Sequence, residues 1–422
     1  MPRFNGWNLT TPSTNGLLIS KECELYFEFA LIRTMKQERL INRPFIALSF
    51  SAFLFFASFN MVIPMLPDFL TSLGGGEYKG LIISLFTITA GLSRPFSGKL
   101  ADKVGRLPVM IFGAVVCFVA GLAYPFVTGI VAFFALRLLH GFSTGFTPTG
   151  NAAYVADIVP INKRGEAMGI IGVAISIGTA SGNAIGGYIG SVFPIDYVFY
   201  ASALTAILSI MILSGMNETL VDRVQFNFGL LKLKKNEIIE KRVLVPAIYM
   251  ALSVFSFGLV LTIMPDYSAH LGISNKGLFF AVFVLASLGV RIFAGKISDK
   301  VGRVKVLKVS AFILALAMLL IAFSNSLMTL IGAGIIFGIG VGMNSPTVFA
   351  WAIDLAEDNK RGKALATLYI FLEIGIGMGA FISGWVYSND SAFFERTFFT
   401  GAVVALIGFI YLNVATKIKK MN

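Results

Sequence analysis

The chain has 422 residues, 56% of them hydrophobic and 13% charged, with a net charge of +12 and a mean hydropathy of +0.81. Soluble domains carry roughly 25% charged residues, so half that share cannot cover a water-exposed surface of this size. Apolar blocks long enough for helices of about 20 residues recur along the chain, which reads as a polytopic membrane protein. Two cysteines and two histidines leave no disulfide framework and no His-rich metal site.

Residues 1–43 form an N-terminal tail. Its first 34 residues are polar and aperiodic apart from Leu25–Ile32, and Met35, which opens a basic stretch, is expected to be the native start. Twelve spans follow, at about 45–66, 78–97, 108–126, 128–154, 167–190, 196–215, 243–264, 277–295, 306–324, 326–352, 364–388 and 395–416. With the N-terminus inside, all but six of the 34 Lys and Arg fall on the cytoplasmic side. The exceptions are Lys79, Lys276 and Arg396 outside, and Arg94, Arg137 and Arg291 within spans. That asymmetry places both termini in the cytoplasm and accounts for the charge without a nucleic-acid partner.

Span 1 carries Phe56 and Asn60 and ends in Pro64-Met-Leu-Pro67. After span 2 comes RPFSGKLADKVGR (Arg94–Arg106), and after span 8 comes RIFAGKISDKVGR (Arg291–Arg303). Nine of these thirteen positions agree at a shift of 197. The same shift carries Asp157 to Asp354, Asn162-Lys-Arg-Gly165 to Asn359-Lys-Arg-Gly362, and Gly178, Gly182 and Gly187 to Gly375, Gly379 and Gly384. A shift of 198 matches Pro67-Asp68 to Pro265-Asp266. The chain therefore divides into a half at 44–216, a charged cytoplasmic linker at 217–242, a second half at 243–416 and a short tail at 417–422. The expected fold is an all-α membrane protein of twelve transmembrane helices in two six-helix repeats, with a central cavity between the halves.

At these residues the sequence resembles the major facilitator superfamily, over nearly all of 44–416. The family's G-x-x-x-D-x-x-G-R loop is present as Gly98, Asp102, Gly105 and Arg106, and again as Gly295, Asp299, Gly302 and Arg303. The resemblance implies that this cluster latches the cytoplasmic side when the cavity opens outward. Gly98 would admit a neighbouring helix, and Asp102 would meet the start of span 11 at Lys363 and Ala364. Span 5 is similar to the G-x-x-x-G-P-x-x-G-G pattern of drug/proton antiporters, as Gly178, Gly182, Asn183, Gly186 and Gly187, with Asn183 in place of the proline. Span 4 has Arg137-Leu-Leu-His140-Gly141, close to the family's R-x-x-Q-G. Pro148 and Pro346 lie at nearly matching places in spans 4 and 10, where they either bend a rocking helix or merely adjust packing.

Ionisable residues inside a membrane are costly and so are functional candidates. Glu373 lies about ten residues into span 11, and its repeat partner is Ser176. It is either a proton carrier or a structural carboxyl hydrogen-bonded to another helix. Arg137 needs a partner, with Asn60 the neutral neighbour to consider. His140, one turn on, either relays protons or is held by backbone. Glu373, Arg137 and His140 form the expected proton-coupling set. By resemblance, spans 1, 4, 7 and 10 wall the cavity, which makes Asn60, Phe56, Asn151, Phe257, Phe337 and Asn344 candidate substrate contacts. So few hydrogen-bonding side chains suit an apolar or amphipathic substrate better than a sugar.

The first expectation is proton-coupled export of hydrophobic or amphipathic small molecules, cationic ones among them, by alternating access, as a monomer in the plasma (bacterial inner) membrane. The partners are substrate, protons and lipid. The proton gradient is the energy source, and no cofactor or metal is expected. A metabolite exporter (of a sugar, siderophore or lipid precursor) and an uncoupled facilitator are the alternatives. A receptor or scaffold is disfavoured by the doubled gating loops. An enzyme is not expected, because no nucleophile–base pair, metal set or phosphate loop is present.

Overall fold

The computed structural model describes residues 41–160, 163–232, 239–357 and 361–421, and the expected start at Met35 lies outside them. Among the described residues the chain is helical, with short 3-10 turns. The spans are α1 (Arg43–Ser72), α2 (Lys79–Lys103), α3 (Arg106–Ala123), α4 (Ile130–Ile158), α5 (Arg164–Val192) and α6 (Asp196–Ser214). The second half holds α7 (Leu244–His270), α8 (Leu278–Val301), α9 (Arg303–Ala322), α10 (Leu327–Leu355), α11 (Arg361–Tyr387) and α12 (Phe394–Met421). Eleven are long and apolar enough to cross a membrane as single helices. The twelfth, α8, turns by 46° between Leu278–Arg291 and Phe293–Val301.

Local chemistry sets the ends. Asn42 accepts a bond from Phe45 N at 2.9 Å, and Pro44 lies in the first turn of α1. Ser326 and Thr329 form a reciprocal capping box at α10. The α2–α3 and α8–α9 corners each turn on a glycine in the left-handed region, Gly105 at φ +140° and Gly302 at φ +103°. Helices α2, α4 and α8 run past the expected ends 97, 154 and 295, because charged residues at their tips continue the helix beyond the last apolar turn.

Packing repeats between the halves. Helix α1 packs on α5 and α6 as α7 packs on α11 and α12. The pairs α2–α4, α3–α4 and α3–α6 recur as α8–α10, α9–α10 and α9–α12. The halves join chiefly along α2–α11 and α5–α8, each the image of the other under the repeat. Small polar residues supply specificity where lipid removes a hydrophobic drive: Ser51 Oγ and Ser209 Oγ lie 2.8 Å apart, and Ser58 donates to Ser202 O at 2.7 Å. Large apolar side chains such as Leu92, Phe293 and Trp385 stay exposed around the outside, as lipid contact allows.

Candidate functional site

At the α2–α11 seam, Gly91 leaves room for the stem of Glu373, whose Cβ would lie 3.2 Å from a Cβ placed on Gly91. One turn along α2, Arg94 Nη2 donates to Glu373 Oε1 at 3.2 Å, and both side chains are 7% exposed. The Arg94 guanidinium also lies over the Tyr369 ring at 4.5 Å, one turn from Glu373 on α11. A single ion pair thus ties one half to the other about 18 Å along α11 from Arg361, at 1.5 Å per residue. Sequence reasoning found Glu373 but gave Arg94 no role. Its mid-span position was the available signal.

The expected proton-coupling set does not assemble. Arg137 and His140 lie within the first half, fully buried. Arg137 Nε donates to Ile82 O at 2.8 Å and Nη1 to Tyr124 Oη at 3.0 Å, with the Phe86 ring 4.7 Å from the guanidinium carbon. His140 Nδ1 is 3.2 Å from the same Tyr124 hydroxyl, and Phe59 and Phe86 pack edge-on against its ring. Tyr124 and the Ile82 carbonyl near the start of α2 therefore take the place expected for Asn60. The Asn60 amide is instead used on Phe56 O at 2.7 Å and Thr179 Oγ1 at 3.3 Å.

The cavity candidates also divide. Phe337 is fully buried between Phe279 and Phe283 and presents no surface to a ligand here, because these two rings of α8 close over it. Asn344 donates to Ser253 Oγ at 2.8 Å, whereas Asn151 Nδ2 is buried without a partner. Phe56 and Phe257 remain half-buried.

The glycines of α5 work on two faces. Cβ atoms on Gly178, Gly182 and Gly186 would strike the carbonyls of Phe53, Ala57 and Met61 on α1, while one on Gly187 would strike Asn275 and Gly277 of the other half. Asn183 turns its amide onto Thr179 O, one turn back at 2.9 Å.

Two ion pairs join the halves at the face opposite the termini. Lys79 Nζ is 2.5 Å from Asp266 Oδ2 and 2.7 Å from Asn389 Oδ1, and Lys276 pairs with Asp68. The repeat maps one pair onto the other, carrying Lys79 to Lys276 and Asp68 to Asp266. Beside them Gly80 abuts Gly384 and the Ala380 carbonyl, so α2 and α11 meet backbone to backbone.

At the face of the termini, the motif charges stay within their own halves. Arg106 bonds Asp102 and Asp157, each at 3.0 Å, and Arg303 bonds Asp299 and Asp354. Asp102 is exposed rather than docked at the start of α11, where Lys363 lies 3.6 Å from Glu240 instead. Cβ atoms added to Gly98 or Gly295 would meet nothing within 4 Å. In this structure the halves are joined by ion pairs at the opposite face instead. Sequence reasoning also missed Glu218, which caps α3 from the linker by accepting from Arg106 N at 3.0 Å and Leu107 N at 2.9 Å. Among the described residues no group of His, Cys, Asp or Glu is placed to hold a metal ion.

Doubled halves, doubled motif loops and paired gates agree with the comparisons to known proteins. The Major Facilitator Superfamily profile matches residues 48–279 and 246–420. The chain belongs to this superfamily. A superfamily relative, the Multi-drug resistance efflux pump PmrA of Streptococcus pneumoniae, is 29% identical over 389 residues, covering 88% of this chain and 96% of that protein. Quinolone resistance protein NorA of Staphylococcus aureus is 23% identical over 401 residues, covering 90% and 100%. Among solved structures, the nucleoside transporter NupG superposes with a TM-score of 0.73 at 13% identity, covering 88% of this chain and 99% of that one, which speaks to the fold alone. The chain is a transporter of this superfamily related to multidrug efflux pumps.

Proposed function

We propose that the protein exports small molecules with large apolar bodies from the cytoplasm by alternating access, driven by inward proton movement, with Glu373 as the proton-exchange group. The observation that carries this reading is the Arg94–Glu373 pair, a titratable carboxylate buried at the seam where the halves must part. Ionised, Glu373 is held by Arg94 and ties α2 to α11. A proton arriving on it removes the attraction and frees both partners, so protonation and the relative position of the halves are linked.

The positive-inside pattern makes the face of the termini cytoplasmic, so the clamped face is external and the structure is closed outward. In this conformation Gly98, Asp102 and Arg106 await the partner half, and they bridge to it once the external pairs break. Relatives named as multidrug and quinolone-resistance pumps support export. The single chain, working as a monomer, needs no cofactor beyond the gradient.

The test is proton movement in inverted vesicles with an imposed pH gradient, comparing wild type with Glu373→Gln against a substrate panel. A compound that discharges the gradient only in wild type is the expected result. Substrate crossing at equal rates in both, with no proton movement, overturns the role of Glu373.

A further inference from the structure

The middle of the spans holds three guanidinium groups, Arg94, Arg137 and Arg291, and one carboxylate, Glu373. Such charges are tolerated only when something compensates them. Glu373 compensates Arg94, and Arg137 is enclosed by a carbonyl, a tyrosine hydroxyl and a phenylalanine face, with its buried Nη2 left without a partner. Arg291 forms no ion pair among the described residues, and its buried Nε has no hydrogen-bond partner. It is the repeat image of Arg94, so the duplication supplied a second cation without a second carboxylate.

Its surroundings are donor-rich. Arg291 is half-buried, on the side of α8 that carries the buried Phe280, Ser287, Ala294 and Ser298, while Leu285, Phe293 and Ile297 on the other face are exposed. The Ser287 hydroxyl, one turn away on that buried face, is also buried and unpartnered. The helix bends by 46° immediately after Arg291, with Gly289 and Gly295 flanking the bend and no proline in it. Broken helices near mid-span are where transporters of two repeated halves place their ligands.

We propose that Arg291 and Ser287 form the headgroup subsite of the transport cavity and that the substrate is an apolar body carrying a carboxylate or sulfonate. This rests on the transport reading above and names its substrate class. An oxyanion supplies the acceptors that Arg291 Nε and Ser287 Oγ lack, in the forked geometry that guanidinium groups favour. It also neutralises a charge that must otherwise be enclosed uncompensated when the halves close around the cavity. A lipophilic cation meets the opposite balance, because the one carboxylate present is already taken by Arg94.

The test measures equilibrium binding to the whole protein in nanodiscs of uncharged lipid, with no ion gradient. Two probes share one apolar body: radiolabelled 1-naphthaleneacetate and 1-naphthylethylamine. The acid is expected to bind at least about tenfold more tightly than the amine, with Arg291→Gln removing about tenfold and Arg291→Lys retaining part of it. Thermal unfolding of both variants identifies any that fail to fold. Preference for the amine, wild-type acid binding by a folded Arg291→Gln variant, or no saturable acid binding up to about 1 mM overturns the proposal. Binding without a gradient is independent of proton coupling, so a failure of Glu373 as the proton-exchange group leaves this result readable.

Discussion

Glu373 and Arg94 show how one residue's environment decides its meaning. Removing one partner of a buried pair strands the other, at a cost of about 3–5 kcal/mol, whereas removing both leaves nothing to strand. Arg94→Gln is therefore expected to destabilise the protein more than the Arg94→Gln/Glu373→Gln double variant does, read as detergent-phase melting temperatures. Equal losses in the two would deny that the pair is coupled. Glu218 offers a second residue-scale case, since its carboxylate caps two backbone N–H groups of α3. Glu218→Ala is expected to cost about 1 kcal/mol, the ordinary value of a lost cap, and unchanged melting would reject the capping role.

Between elements, small residues set the distances. Gly182 sits against the Ala57 carbonyl, a backbone atom that cannot swing aside, so Gly182→Ala is expected to destabilise by about 1–3 kcal/mol through overpacking. Gly98 is open in this conformation, so Gly98→Leu is expected to fold and insert normally yet transport poorly if α2 must meet the other half there later in the cycle. Normal transport by Gly98→Leu would show that no such approach occurs. The charges at the opposite face are equally graded. Lys79 and Asp266 are both under 10% exposed, while Asp68 is 47% exposed, so Lys79→Gln should weaken external closure far more than Lys276→Gln. Accessibility of a cysteine placed in the cavity to an impermeant external thiol reagent reads that difference.

For the whole molecule, alternating access requires α2 and α11 to separate where Gly80 meets Gly384. Bridging a Lys79→Cys/Asp266→Cys variant across the same face with a reducible bifunctional thiol reagent should arrest transport, and cleaving the bridge should restore it. Transport that continues through the cross-link would place the moving seam elsewhere.

The sequence by itself determined the superfamily, the twelve helices and the twofold repeat. These follow from span length and a shift held at 197, properties of the chain read without any tertiary contact. It also located Glu373, because a carboxyl inside an apolar run is conspicuous without any neighbour. Which groups meet was decided only by tertiary structure. Glu373 is joined by Arg94, Arg137 by Tyr124 rather than Asn60, and Asp102 keeps to Arg106 without reaching the start of α11. The partners lie up to 279 positions apart on helices whose rotation and tilt depend on the packing of every other helix. The motif residues carry a further ambiguity: the alternating access proposed here would give them two sets of partners, and a structure shows which set is made in its own conformation.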